Sequence, residues 1–167
     1  VTSTSKLNNV TLIFEDVVNT TISSTIFEEL NNCTISNITI NASQTLNNAV
    51  LAHKIVNTKL NGVTINDVVV DTKTFTENGA GILVNSANES VINNVVINNG
   101  RLNVSIENRT YYVGGIAGYA ENTIIQNSEN SATITLSNCS NNAYVSGILG
   151  YGRNTSIFKC TNNGKVY

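Results

Sequence analysis

Three stretches of the chain repeat at nearly constant spacing, AGILVNSAN at 80–88, GGIAGYAEN at 114–122 and SGILGYGRN at 146–154. Their Gly-Ile steps begin at Gly81, Gly115 and Gly147, at intervals of 34 and 32 in sequence number. A more divergent copy, AVLAHKIVN at 49–57, is displaced by 32 from the segment that starts at Gly81. A fixed period of this size is typical of proteins built from stacked repeats.

A second motif begins after each of these copies, with nine or ten residues between it and Ala49, Gly81, Gly115 or Gly147. It is an aliphatic residue, two mostly polar residues, a small residue, a variable position and then Ile, Leu or Asn. The copies are LNNCTI at Leu30, LNGVTI at Leu60, INNVVI at Ile92, IQNSEN at Ile125 and IFKCTN at Ile157, at intervals of 30, 32, 33 and 32. Copies out of phase begin at Leu7, Leu46 and Leu136. They predict that one strand-turn-strand unit is used on more than one face of each coil.

The third position of this motif is suited to a turn of left-handed backbone, because Asn and Gly adopt that conformation most readily. It is occupied by Asn9, Asn32, Asn48, Gly62, Asn94, Asn127 and Asn138, with Lys159 as the exception. Stacked coils would place Asn upon Asn about 4.8 Å apart, so that the side-chain amides form a ladder. The next position then points inward and holds Val10, Cys33, Ala49, Val63, Val95, Ser128, Cys139 and Cys160. The three cysteines are therefore expected in the core as small apolar residues, with one disulfide and a leftover thiol as the alternative.

These patterns predict an all-β protein, a right-handed parallel β-helix (β-solenoid) of about five coils of roughly 32 residues, each with three short strands. In the coil with the clearest pattern the strands are expected at 82–85, 91–97 and 102–106, with a turn at 98–100. Residues 1–167 are expected to form a single solenoid segment. The final residues GKVY repeat the lead-in to another Gly-Ile step, so we expect a fragment of a longer repeat protein.

Composition narrows the class of protein. The chain has 30 Asn and 35 Ser plus Thr among 167 residues, but aliphatic residues alternate regularly with them, which argues against disorder. The net charge is −2 and neither sign clusters, so a nucleic-acid partner is not expected. No apolar run has the length of a membrane span, and membrane insertion of this segment is not expected either.

The stretches GGIAGY and SGILGY, each followed some nine residues later by an Ile-x-x-Cys/Ser-x-Asn unit, resemble the GLUG-type repeats of bacterial and protist surface proteins. The resemblance is best preserved over residues 80–167. It implies a β-helical stalk or adhesive scaffold without catalytic residues. Such repeats also occur beside the peptidase domain of some immunoglobulin-cleaving metalloproteases, where the peptidase chemistry lies in a separate segment.

Few residues suggest catalysis. His53 is the single histidine, and we expect it at an outer slot shared with Asn85, Tyr119 and Tyr151. Asp67 and Asp71 are four residues apart, so on one extended strand they would face the same side as Lys73. This is the best enzyme candidate, of the kind that carbohydrate-active β-helices use, and Asn99 and Asn103 are expected at the stacked positions of the next coil. We expect no enzyme activity, no metal and no cofactor.

Two further groups of residues are candidate sites. Tyr112 and Tyr144 are separated by 32 in sequence number, as are Tyr119 and Tyr151, so each pair should stack on adjacent coils, either as a stabilising ladder or as a face for a sugar or a protein. Candidate N-glycosylation sequons lie at Asn9, Asn19, Asn37, Asn41, Asn88, Asn103, Asn108 and Asn154. Two more, at Asn32 and Asn138, fall on the expected turn slot.

The sequence therefore predicts a non-catalytic, extracellular repeat protein that forms a rigid rod, stalk or filament on a cell surface. The expected partners are copies or neighbouring repeats of the same protein, with glycans and host or cell-surface proteins as further candidates. Two alternatives remain open, a carbohydrate-binding or carbohydrate-active β-helix and an accessory domain of a larger surface protease.

Overall fold

The computed structural model describes residues 5–73, 79–105, 110–139 and 142–167, and these ranges contain strands and turns but no helix. The strands of the first half are β1 (Ser5–Asn8), β2 (Thr11–Ile22), β3 (Phe27–Asn31), β4 (Thr34–Ala42), β5 (Ala52–Val56), β6 (Lys59–Asn66), β7 (Val69–Thr72) and β8 (Gly79–Gly81). Next come β9 (Val84–Asn88), β10 (Val91–Asn98), β11 (Arg101–Ser105), β12 (Tyr111–Gly114), β13 (Ala117–Glu121) and β14 (Ile124–Gln126). The remaining strands are β15 (Glu129–Asn130), β16 (Thr133–Ser137), β17 (Ala143–Ser146), β18 (Leu149–Arg153), β19 (Ser156–Phe158) and β20 (Thr161–Asn162).

Every described strand pair is parallel, and the strands stack into four sheets. Sheet A consists of β1, β3, β5, β9, β13 and β18, and sheet B of β2, β4, β6, β10, β14 and β19, with β15 and β20 continuing its last two rungs. Sheet C consists of β7, β11 and β16, and sheet D of β8, β12 and β17. The predicted all-β parallel solenoid is confirmed. Its right-handed coiling stays a prediction from the general preference of parallel crossovers.

The coils have two lengths. Leu7 pairs with Leu30 and Leu30 with Ile55, which are steps of 23 and 25 in sequence number. Ile55 then pairs with Ala87, Ala87 with Ala120, and Ala120 with Gly152, which are steps of 32, 33 and 32. About three turns therefore have the predicted length of roughly 32 residues, where the sequence predicted about five. The coils before them are shorter because they return from sheet B to sheet A without strands in sheets C and D.

The full-length coils have strands in four sheets, where the sequence predicted three strands per coil. The predicted strand at 82–85 is replaced by β8 and β9 with a bend at residues 82 and 83 between them. Gly81 makes this bend possible, because a Cβ there would overlap the carbonyl oxygen of Val84. The strands predicted at 91–97 and 102–106 correspond to β10 and β11, although residue 106 lies outside the described residues.

A column of left-handed residues marks the corner between sheets A and B. It consists of Asn9, Asn32, Asn57, Glu89, Asn122 and Asn154, with φ between 44° and 57°. Within it the amide of Asn32 donates to Asn9 Oδ1 at 2.6 Å, and that of Asn57 to Asn32 Oδ1 at 3.1 Å. Asn154 donates to Asn122 at 2.7 Å. The predicted ladder of asparagine amides is confirmed, and Glu89 interrupts it.

A second left-handed column lies within sheet B and consists of Asn37, Gly62, Asn94, Asn127 and Lys159. The single turn slot predicted from the sequence was therefore wrong, because it merged two columns and placed Asn9 and Asn32 in the second. The placement of Asn48 in a left-handed turn was also wrong, because its φ is not positive. Lys159 has a φ of 52° and keeps the turn without an amide.

A third column, which the sequence analysis missed, follows the corner between sheets A and B. It consists of Cys33, Thr58, Ser90, Thr123 and Thr155. The amide N–H of each member donates to the hydroxyl of the next, at 3.3, 3.1, 3.3 and 3.4 Å. Each hydroxyl donates in turn to a carbonyl two residues earlier in its own coil, as Thr58 does to Val56 at 2.8 Å. Buried main-chain donors at this corner are satisfied by side chains, which a buried corner requires.

The core runs along the axis as stacked aliphatic columns. In sheet B, Ile35, Leu60, Ile92 and Ile125 lie over one another and are at most 2% exposed. Cys33 is buried, while Cys139 and Cys160 are partly buried, and all three carry free thiols. Cys160 packs against the core. The expected core position is confirmed for Cys33, whereas Cys139 is more exposed than predicted because it follows the end of β16.

Candidate functional site

Four tyrosine rings meet at the bend between sheets D and A, and we call them the tyrosine cluster: Tyr112, Tyr119, Tyr144 and Tyr151. Parallel pairing places Tyr112 beside Tyr144 in sheet D and Tyr119 beside Tyr151 in sheet A. The predicted stacking of each pair on adjacent coils is therefore confirmed. Nothing in the spacing of the tyrosines indicated that the two pairs would join into one cluster.

The rings contact one another within each sheet and across the bend. The ring centroids of Tyr119 and Tyr151 are 5.9 Å apart with planes 12° from parallel, and those of Tyr112 and Tyr144 are 5.5 Å apart. The shortest distance joins the two sheets, with the centroids of Tyr112 and Tyr151 4.6 Å apart in a stacked arrangement. Tyr112 and Tyr119, each between two paired strands, are partly exposed, and Tyr144 and Tyr151 on the last rung are 49% and 38% exposed.

Glycines allow the two sheets to approach closely enough for these contacts. A Cβ on Gly79 would lie 2.8 Å from the carbonyl carbon of Gly118, and a Cβ on Gly118 would overlap the backbone of Ala80. Gly150, one rung further, has the same close approach to the backbone at Val113. Because no side chain fits between these strands, the neighbouring tyrosines pack across the bend.

An ion pair lies beside the cluster. Glu121 and Arg153, which are paired in register on sheet A, form a salt bridge, and the Tyr119 hydroxyl donates to Glu121 Oε2 at 3.0 Å. The hydrogen bond from Arg153 lowers the pKa of Glu121, with a smaller contribution from Tyr119. Burial, and then the hydrogen bond to Glu121, raise the pKa of Tyr119. The polar border of the cluster is therefore held in one arrangement with no net charge.

Ser86 lies next to Tyr119 in the register of sheet A. Its hydroxyl oxygen is buried and has no hydrogen-bond partner in the described part of the chain. Lys54 occupies the same column one rung earlier. The outer face of sheet A therefore changes from charged to aromatic side chains along the axis.

His53 lies between Ala52 and Lys54, which pair with Val84 and Ser86. Because Ser86 in turn pairs with Tyr119, the column of Tyr119 and Tyr151 contains Lys54 and not His53. The register places His53 beside Asn85 as expected, whereas the slot that it was expected to share with Tyr119 and Tyr151 was wrong by one residue. His53 is half-buried.

The two aspartates do not share a strand. Asp67 stands at a corner with φ 51°, after β6 ends, and Asp71 lies on β7. Asp67 lines a shallow groove of about 350 Å³ with Asn99, Arg101 and Thr133, among others. The expected single face for both carboxylates was wrong because the chain turns between them, whereas the pairing of Asp71 with Asn103 is confirmed. Within the described ranges, no group of His, Cys, Asp or Glu side chains is placed to hold a metal ion.

The sequons differ in what their side-chain amides do. The amide nitrogens of Asn32, Asn41, Asn138 and Asn154 donate hydrogen bonds, to Asn9, to the carbonyl of Thr20, to Ser105 and to Asn122. Asn9 accepts a bond through Oδ1, and Asn37 has a left-handed φ of 60°. In contrast, the side chains of Asn19, Asn88 and Asn103 make no hydrogen bond within the described residues. The sequon at Asn108 lies outside the described residues.

A groove of about 330 Å³ follows the amide ladder of the shorter coils. It is lined by Asn9, Thr11, Asn32, Cys33, Thr34, Asn57 and Lys59. Its polar lining consists largely of the asparagines of the ladder.

Among the described residues, none forms a helix of the length and apolarity needed to span a bilayer.

Comparison with known proteins gives one match. A family model, described as the GLUG motif, matches residues 110–135. No curated protein and no solved structure matches the chain. The matched residues cover most of one full-length coil, from the residue before β12 through β13, β14 and β15 into β16, and they contain Tyr112, Tyr119 and Glu121. The sequence and the fold are therefore those of a β-solenoid repeat protein with a GLUG motif at residues 110–135.

Proposed function

We propose that this chain is a non-catalytic, extracellular scaffold, a stiff β-solenoid segment that spaces or presents other parts of a surface protein. The observation that carries this proposal is the continuity of sheets A and B through six rungs, reinforced by the amide and hydroxyl ladders. Each rung is held to the next by main-chain and side-chain hydrogen bonds, and such a stack resists bending.

Stiffness is testable in solution. Small-angle X-ray scattering of the 167-residue chain should give a cross-section independent of temperature up to the unfolding transition. The variant Thr58→Val, which removes one link of the hydroxyl ladder, should broaden the distribution of distances before unfolding. A wild-type particle that is already flexible at low temperature would contradict the scaffold role.

The surface location is tested separately, in the cell that produces the protein. An epitope tag on the natural protein should be reached by antibody and by added protease without permeabilisation. If glycosylation accompanies that location, mass spectrometry should find glycans at Asn19, Asn88 or Asn103 before Asn32, because a glycan on Asn32 would disrupt two ladder bonds. Detection of the tag only after permeabilisation would overturn the extracellular assignment.

Self-association with copies or neighbouring repeats of the same protein is part of the proposal. Sedimentation velocity over a range of concentrations measures this self-association directly.

Absence of catalysis is also part of the proposal. The double variant Asp67→Ala with Asp71→Ala should leave any polysaccharide turnover by the full-length protein unchanged.

A further inference from the structure

The tyrosine cluster offers exposed aromatic surface beyond what packing between coils requires. Tyr112 and Tyr119, which have a paired strand on both sides, are still partly exposed, and Tyr144 and Tyr151 on the last rung are 49% and 38% exposed. Tyr111, the neighbour of Tyr112 on the same strand, is instead fully buried. The core can therefore accommodate a tyrosine, whereas the four rings of the cluster lie outside the core.

The size of the cluster indicates the size of a ligand. A covered aromatic side chain buries roughly 150–250 Å², so four partly exposed rings can offer on the order of 300 Å² to a partner. A stable protein interface needs roughly 800 Å² from each side. The cluster suits a small ring-shaped group better than a protein surface.

The charges beside the cluster indicate the character of that group. Glu121 provides carboxylate acceptors and Arg153 provides guanidinium donors, and their salt bridge leaves the border neutral. The Tyr119 hydroxyl fixes the carboxylate from the other side. An anion would be repelled by Glu121 and a cation by Arg153, whereas neighbouring hydroxyl groups can donate to one and accept from the other.

We propose that the tyrosine cluster binds a neutral pyranose residue of a glycan, with its apolar face on Tyr151 and Tyr144 and its hydroxyl groups at Glu121 and Arg153. Sugar rings have an apolar face and a polar edge, which matches aromatic rings bordered by a donor and an acceptor. Pairing of Tyr119 with Tyr151 and of Tyr112 with Tyr144 repeats the platform on two rungs, so that adjacent sugar residues of one chain can be held together. This site is independent of the scaffold role, which would stand without it.

Binding is tested with defined probes on the 167-residue chain. Saturation-transfer NMR should detect contacts from aromatic protons to one of cellohexaose, mannohexaose or chitohexaose, with a dissociation constant on the order of 1 mM for so small a site. Tyr151→Ala and Tyr144→Ala should each weaken binding at least tenfold, whereas Tyr144→Phe should retain it. Tyr167→Ala is the matched control, because Tyr167 is 66% exposed and lies outside the cluster.

Four outcomes would overturn the proposal. The first is the absence of transfer to every neutral probe. The second is unchanged binding by both alanine variants, provided that circular dichroism shows them folded. The third is binding restricted to an anionic glycan such as polygalacturonate and abolished by salt, which would assign the effect to Arg153 alone. The fourth is loss of a dimer in Tyr144→Ala, seen by sedimentation, which would identify the cluster as a contact between copies.

Discussion

The shorter coils before Ile55 and the full-length coils after it share the corner between sheets A and B. They differ in the path by which the chain runs back from sheet B to sheet A. Both have a left-handed residue after sheet A, such as Asn32 and Asn122, and the hydroxyl ladder continues from one region into the other. The full-length coils add sheets C and D, with the glycine bend and the tyrosine cluster. The constant part of the solenoid is therefore the corner between sheets A and B, and the return path is where new surface is built.

The largest effect is expected from placing a side chain at the glycine bend, which the full-length coils have and the shorter coils lack. His53 stands in β5, between residues that pair with β9, and the register places Gly118 two rungs further at the same position. In Gly118→His the side chain would overlap the backbone of Ala80, and we expect a loss of at least about 3 kcal/mol in the free energy of unfolding. Urea denaturation measures it.

The control for this variant is Gly152→Ala, whose Cβ would lie 3.0 Å from the flexible Leu149 side chain. It should cost about 1 kcal/mol or less. Equal losses in the two variants would show that the bend between sheets D and A is no tighter than the rest of the coil.

The next effect concerns the ladder that joins the two regions. In Thr58→Val the Cys33 N–H loses its acceptor inside the protein, and Thr58 is fully buried, so we expect a loss of about 1–3 kcal/mol. Thr58→Ser should retain most of the stability. Thr155→Val should cost less than Thr58→Val, because Thr155 lies in the last rung and is only partly buried. Thermal unfolding compares the three, and a Thr155 variant as damaging as the Thr58 variant would contradict a burial-dependent ladder.

Sequence periodicity predicted the parallel stack because inward aliphatic residues recur with each coil, as Leu60, Ile92 and Ile125 do. It predicted the wrong pairing between strands where similar residues recur closer together than one coil length. Leu30 was aligned with Leu60, but it pairs with Ile55, because the left-handed Asn32 lies under Asn57 and fixes the shorter coil.

The same limit applies at the glycine bend and at the cluster. Gly81 was aligned with Gly115, yet it pairs with Gly114, and Ile82 is therefore not stacked on Ile116. Hydrogen bonds set this register, and the sequence does not reveal them. The tyrosine pairs follow from a spacing of 32, whereas the contact between the two pairs requires the three-dimensional approach of sheets D and A.

The hydroxyl column could have been predicted from the sequence, because a Thr or Ser follows the corner residue in four successive coils, at Thr58, Ser90, Thr123 and Thr155.

A stabilising change should repair the break in the amide ladder between the two regions. Glu89 adopts a left-handed φ of 49° between Asn57 and Asn122 in the column, and Asn tolerates that conformation better than Glu does. Glu89→Asn should therefore raise the free energy of unfolding by about 1 kcal/mol. Glu89→Gly separates the two causes, because it relieves the backbone without supplying an amide. If Glu89→Asn is no more stable than Glu89→Gly, the amide ladder adds nothing across this rung.

The smallest effect should come from the ion pair of the full-length coils and should depend on pH. The pKa of Glu121 is lowered below its ordinary value of 4.5 by Arg153 and Tyr119, so the ionised form is favoured by folding. The contribution of this ion pair to the free energy of unfolding is fully present above the unfolded pKa of about 4.5 and is lost as the pH falls through the lower folded pKa.

The melting temperature of wild type should exceed that of Glu121→Gln at pH 7, and the difference should shrink at low pH and in high salt because both groups are at the surface. Asp16→Asn, which changes the charge of an exposed carboxylate on β2, is the control. A difference between wild type and Glu121→Gln that stays constant from pH 7 to below 4 would show that Glu121 acts by packing beside the tyrosines and not by its charge.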